Sequence, residues 1–151
     1  MQSLELPQPY AKQHEAICDP KRIVVIEAST KSGKTAGCLV WLLMQAWNNG
    51  GPGQAYWWVA PIYQQAKAIG FERMKAMLKQ ADPLHRIWRE HNSELWIELH
   101  NGAKIWFKGA DNPDSLYGED VYAAVIDEAS RCREDSWIAV RSTLTATKGP
   151  I

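Results

Sequence analysis

The chain has 151 residues, 46% hydrophobic and 23% charged, with 17 Lys plus Arg balanced by 17 Asp plus Glu. That length allows one domain with a real core, and the composition excludes a disordered chain. A formal net charge of zero gives no global attraction to nucleic acid, so any DNA contact must come from a local patch.

Cys18, Cys38 and Cys132 are scattered and odd in number. They fit neither a zinc spacing nor a disulfide framework, which points to a reducing compartment. Met1 to Pro9 lacks the basic start and apolar core of a signal peptide. No apolar run approaches membrane-spanning length.

In chain order, Leu6 to Ile17 carries Pro7, Pro9 and Tyr10 before a short helical pattern that contains Gln13. Arg22 to Ala28 then presents four consecutive β-branched residues, Ile23, Val24, Val25 and Ile26. Such a run predicts a strand buried on both faces. It feeds Ser29, Thr30, Lys31, Ser32, Gly33, Lys34 and Thr35, a sequence close to the loop whose backbone N–H groups wrap a phosphate chain. In that reading Lys34 lies between the outer phosphates, the Thr35 hydroxyl coordinates Mg²⁺, and the helix opening at Lys34 turns its positive end to the same anion. Ala28 stands where the pattern has its first Gly, so the loop must be entered with an ordinary φ or carry some strain. Upstream of the strand, the Gln13 amide both donates and accepts, which suits the edge of an adenine, with Tyr10 able to pack on the base.

Thr35 to Trp47 predicts a helix that is apolar nearly all round, stopped by the segment Asn48 to Gly53. Ala55 to Ala60 reads as the second strand. Tyr63 to Ala81 is helical, with Ala66, Gly70, Met74, Met77, Leu78 and Ala81 inward and Lys67, Lys75 and Lys79 on another face, either solvated or tracking a phosphate backbone. The eight Trp residues lie mostly beside apolar runs and read as core rather than base-stacking platforms. Glu94 to Lys108 alternates on both sides of Asn101-Gly102, a hairpin signal. This antiparallel hairpin is expected at the edge of a parallel sheet. After the turn-rich Gly109 to Asp120, the run Tyr122 to Ile126 predicts a strand ending in Asp127 and Glu128. Neighbouring parallel strands open into one crevice at their carboxyl ends. There Asp127 would hold Mg²⁺ beside Thr35, and Glu128 would polarise a water against the γ-phosphate. Arg131 to Thr147 reads as a loop and a helix, with Trp137, Ile138, Val140 and Leu144 inward.

Taken together, Gln13, Ser29 to Thr35, Val59-Ala60-Pro61, Lys108-Gly109-Ala110, Leu116 with Gly118, and Ile126 to Ala129 make the chain resemble the N-terminal ATPase half of the large terminase subunit of tailed bacteriophages. The resemblance implies an α/β P-loop NTPase of the additional-strand type, a mostly parallel sheet flanked by helices. It implies an ATPase using ATP and Mg²⁺ to drive double-stranded viral DNA into a capsid. Implied partners are a portal, a small terminase subunit and further copies in a ring, with no membrane, in the cytoplasm of the bacterial host. Lys34 and Thr35 match its phosphate and Mg²⁺ ligands, Asp127 its metal-organising acid, Glu128 its catalytic carboxylate, Gln13 its adenine reader and Lys31 a basic loop residue that neutralises γ-phosphate charge. Residues 1–151 would form one such domain, expected to be incomplete at its C-terminal side, without the last core strands or the nuclease domain. Tyr117 stands where relatives often have Arg, leaving Arg131, Arg133 or Arg141 as substitutes for an arginine finger. Two other readings share these motifs: a helicase-like or repair P-loop ATPase, and a nucleotide-binding module without turnover.

Overall fold

A computed structural model describes residues 5–7, 11–29 and 32–151; Tyr10, Thr30 and Lys31 lie outside the described residues. Helix α1 (Ala11–Ile17) precedes α2 (Lys34–Asn49), and strand β1 (Ala55–Ala60) follows. A continuous helical stretch then runs as α3 (Tyr63–Gln65), a π-helical turn (Ala66–Phe71) and α4 (Glu72–Ala81). Three strands come next, β2 (Trp88–His91), β3 (Trp96–Leu99) and β4 (Lys104–Gly109), and the chain closes with β5 (Val121–Ile126) and α5 (Glu134–Thr143).

The sheet order is β2-β3-β4-β1-β5. Centrally, β1 pairs in parallel with β4 and β5, while β2, β3 and β4 form an antiparallel meander on one side. The hairpin at the edge of a parallel sheet is therefore present, and β2 extends it by one outer strand that carries no signal in the sequence. Its four residues, Trp88-Arg89-Glu90-His91, hold one apolar side chain, too little for an alternation pattern.

All six residues of β1 are buried, because the alternation of the strand divides them between two covered faces. Tyr56, Trp58 and Ala60 join a core with Leu39, Leu42 and Leu43 of α2 and Met74 and Leu78 of α4. Ala55, Trp57 and Val59 pack with Ala139 and Val140 of α5 and with Leu144. Gly70 matters in the first core: a Cβ there would lie 2.7 Å from Trp58 Cδ1 and 2.8 Å from Phe107 Cδ1. Two aromatic rings thus reach the helix backbone at the π turn.

Three local expectations change. Lys75 is not on a solvated or DNA-tracking face; it is 8% exposed, bonded to Asn92 Oδ1 at 2.8 Å and paired with Glu72 at 3.6 Å. On α5, Ile138 points outward at 58% exposure, while Ser136 and Ala139 turn in, since the helix meets the sheet one position away from the stripe read in sequence.

The third change concerns residues 22–28. They carry no strand ladder, residues 22–23 lie in a bend, and Val25 is 82% exposed. The cause lies in what separates them from β5. Ile151 N–H donates to Arg22 O at 2.8 Å, Val24 N–H donates to Ile151 O at 3.0 Å, and Ala124 N–H donates to Pro150 O at 3.0 Å. Pro150 and Ile151 thus lie between the two segments, bonded to both, so the segments stand about two strand spacings, ~9.5 Å, apart at this level. A cavity of about 480 Å³ lies between Val24–Ala28 and Ala124–Glu128. A strand buried on both faces needs neighbours on both sides, and here the β-branched run faces a slot.

Candidate functional site

Gly33 caps α2 with φ 76°, ψ 15°, and no side chain caps the first turn. The left-handed turn suits Gly, and it leaves the first N–H groups of α2 without intrahelical partners, aimed at the loop. Ala28 enters without positive φ, so its Cβ costs the loop nothing. Lys34 Nζ donates to Ala28 O at 3.1 Å, reaching across the loop it closes. Ser32 N–H and Oγ both donate to Ser29 O, at 3.1 and 2.7 Å, which curls the loop on itself. Thr30 and Lys31 lie between these two and outside the described residues.

Gln13 on α1 meets this loop from behind. Its Nε2 donates to Gly33 O at 2.8 Å and to Ser32 O at 3.4 Å. Gly37 makes the approach possible, since a Cβ there would stand 2.3 Å from Ile17 Cδ1. The amide therefore braces the turn that opens α2, a contact that its residue type alone did not reveal.

Opposite the loop, β5 ends at Ile126 and delivers Asp127. Thr35 Oγ1 donates to Asp127 Oδ1 at 3.4 Å. Burial, then the Glu128 charge, push the Asp127 carboxyl above its usual range, with Glu128 N–H, Thr35 and Lys34 opposing. Two hard oxygens facing each other fit Mg²⁺, which is held by one or two protein oxygens and completed by phosphates and waters. Among the described residues no group of three or more His, Cys, Asp or Glu could hold a metal by itself.

Glu128 adopts φ 48°, ψ 50°, and its carboxylate pairs with Arg131 at 2.9 Å. Lys34, Asp127 and Glu128 line the same cavity, joined by Cys38 and Trp137. Cys38 lies one helical turn beyond Lys34, a spacing that places both on one face. Burial, followed by the Asp127 charge, pushes its thiol up to about 11. Tyr117 is 58% exposed, away from this cluster. Of the three arginines named as substitutes for a finger, Arg131 is held by Glu128 and Arg133 by Asp135.

The family described as "Terminase large subunit, T4likevirus-type, N-terminal" matches residues 25–149. No curated protein matches the chain. Among solved structures, the ATPase domain of the Thermus phage P74-26 large terminase superposes with a TM-score of 0.80 at 22% identity, covering 95% of this chain and 62% of that one. The HK97 bacteriophage large terminase gives 0.79 at 18% identity, covering 95% and 32%. A large terminase from a thermophilic bacteriophage, in complex with ADP, gives 0.75 at 16% identity, covering 93% and 37%. At these identities the likeness establishes the fold, that of large terminase ATPase domains. The chain spans less than two thirds of each of these structures.

Proposed function

The chain belongs to the T4likevirus-type terminase large subunits, in their N-terminal part, and from that premise we propose that it binds and hydrolyses ATP as part of a viral DNA-packaging motor. The observation that carries this reading is the Thr35–Asp127 contact, which joins the phosphate-loop helix to the acid at the end of β5.

In this proposal the first N–H groups of α2 and the backbone from Ser29 to Gly33 bind the phosphates, and Lys34 exchanges Ala28 O for a phosphate oxygen. Thr30 and Lys31 complete the loop, Lys31 against γ-phosphate charge. Gln13 holds the loop carbonyls and stands where an adenine edge would be read. Thr35 and Asp127 hold Mg²⁺, which when bound offsets phosphate charge. Glu128 accepts the proton of a water as its oxygen attacks the γ-phosphorus and the bond to the β–γ bridging oxygen breaks, giving ADP and inorganic phosphate. Double-stranded DNA, a portal, a small terminase subunit and a ring of copies follow from the same premise, with the host cytoplasm as the place of action. No helix among the described residues is long and apolar enough to cross a membrane.

The test is nucleotide binding and turnover with Mg²⁺ across protein concentrations. Lys34→Ala should lose binding, and Glu128→Gln should bind and not turn over. Turnover per subunit that rises with concentration supports a group supplied by a neighbouring copy. Tight binding without turnover at any concentration would favour a nucleotide-binding module instead.

A further inference from the structure

The register of the meander gathers two rows of side chains on one face of the sheet, because residues opposite each other across a ladder share a face. His91 lies opposite Trp96, Trp96 opposite Trp106 and Trp106 opposite Trp57, an aromatic row that crosses four strands. Beside it, Arg89 lies opposite Glu98 and Glu98 opposite Lys104. Lys108, two positions beyond Trp106 on β4, flanks the row on its other side. Helices α2 and α4 pack with Ile97, Ile105 and Phe107 on the opposite face, and α5 packs with Ala55, Trp57 and Val59 of β1. Over β3 and β4 the rings are topped by cations. Lys104 Nζ stands 4.2 Å from the Trp96 centroid and 5.8 Å from that of Trp106. Lys108 Nζ stands 5.4 Å from Trp106 and 4.7 Å from Trp57, and Arg89 Cζ 5.6 Å from Trp96.

We infer that this face of β2, β3 and β4 is a contact surface for the phosphate backbone of double-stranded DNA. The choice of partner rests on the packaging-motor reading; the chemistry of the surface rests on its charges. Three cations stand over the rings against one carboxylate, Glu98, which Arg89 and Lys104 share at 2.9 and 3.7 Å. Two further carboxylates lie at the rim and accept indole N–H groups, Glu94 from Trp96 at 2.9 Å and Glu119 from Trp57 at 3.3 Å. The Arg89 and Lys104 side chains are 68% and 34% exposed, so their N–H groups can reach an anion. Lys108 donates to Ser115 O at 2.9 Å and adds its charge beside them. Each indole holds its cation by the ring quadrupole, on a flat apolar bed that a duplex can approach. Because the cations top the rings, bases do not stack there, and the contact is to phosphates without regard to sequence. In a chain of zero formal net charge, a duplex needs a local patch of this kind.

The experiment measures binding of the full chain to a labelled duplex of mixed sequence, by fluorescence anisotropy over a range of salt. The parent should bind with Kd of roughly 10⁻⁴ to 10⁻⁶ M at physiological salt. Arg89→Ala and Lys104→Ala should each weaken binding by roughly three- to tenfold and reduce the slope of log K against log salt by about 0.9. Lys104→Arg stays near the parent. Glu98→Gln frees both cations and should tighten binding by roughly two- to fivefold, the reverse of what damage to the fold would give. Lys67→Ala, on the exposed side of the helical stretch, leaves affinity and slope unchanged. No duplex binding by the parent, slopes equal to the parent's in both alanine variants, or a Glu98→Gln chain that binds no tighter overturns the inference. So does a parent that self-associates in sedimentation and is dispersed by Arg89→Ala with duplex affinity kept, since the face then belongs to a second copy. Failure of the ATPase reading looks different: a parent that binds no Mg²⁺-ATP but shows the expected slope changes loses the motor and keeps the surface. Unchanged slopes in a chain that turns over ATP remove the surface alone.

Discussion

Thr35 and Asp127 lie 92 residues apart in sequence and meet at 3.4 Å, hydroxyl to carboxylate. This contact joins the first turn of α2 to the carboxyl end of β5, and it bears on stability as well as on chemistry.

The Asp127 carboxyl is raised above its ordinary range, first by burial and then by the Glu128 charge. A raised folded-state value means that the folded chain binds this proton more tightly than the unfolded one. Stability from this group is therefore fullest below the unfolded carboxylate range and is lost as pH rises through the folded value. Asp127→Asn should raise Tm at pH 7 by roughly 1–3 °C, modest because the carboxylate is partly solvated, and should abolish Mg²⁺-ATP turnover. Melts at pH 7 and pH 4 check the sign, with the difference shrinking at the lower pH.

Gln13 donates its amide hydrogens to Gly33 O and Ser32 O. Gln13→Glu keeps the shape and removes the donors. If the brace matters to the loop, ATP and GTP binding should weaken together, by roughly tenfold for about 1–2 kcal/mol of lost bonding. A loss confined to ATP would assign the residue to the base alone.

Gly70→Ala places a Cβ against Trp58 and Phe107, rings fixed within a filled core. Neither is the far end of a flexible chain, so the expected cost is about 1–3 kcal/mol, read as a Tm lower by roughly 2–4 °C per kcal/mol. Nucleotide affinity in the folded variant should be unaffected.

Cys38 keeps its proton up to about 11, which leaves roughly one thiol in a thousand ionised at pH 8. Cys18 is exposed. Maleimide at pH 8 should label Cys18 first and Cys38 slowly. Mass spectrometry of tryptic peptides over time follows both sites.

Much of this arrangement was legible because it rests on local chemistry. The all-buried run of β1, the Asn101-Gly102 hairpin turn and the apolar run ending in Asp127 and Glu128 each announce themselves within a few residues. Gly33 and Lys34 mark the start of α2 in the same way. What was hidden depends on partners distant in sequence. The bonds of the Gln13 amide to Gly33 O and Ser32 O carry no signal in its residue type, and Lys75 reads as a surface charge until Asn92 and Glu72 close over it. Four β-branched residues at 23–26 signal a strand, yet a strand exists only where a neighbour pairs with it.

That last point reaches into the site. Backbone alternation puts the Ile126 N–H on the same side of β5 as that of Ala124, which Pro150 O accepts, whereas Asp127 N–H turns the other way to Val59 O. One flank of β5 is thus stitched to the centre of the sheet, and the other fronts the cavity, with Ala28 and Lys34 on its far wall. Lys34 and the two carboxylates line one cavity from opposite walls, and Pro150 and Ile151, bonded to both walls, hold those walls at a fixed distance at the level of Val24 and Ala124.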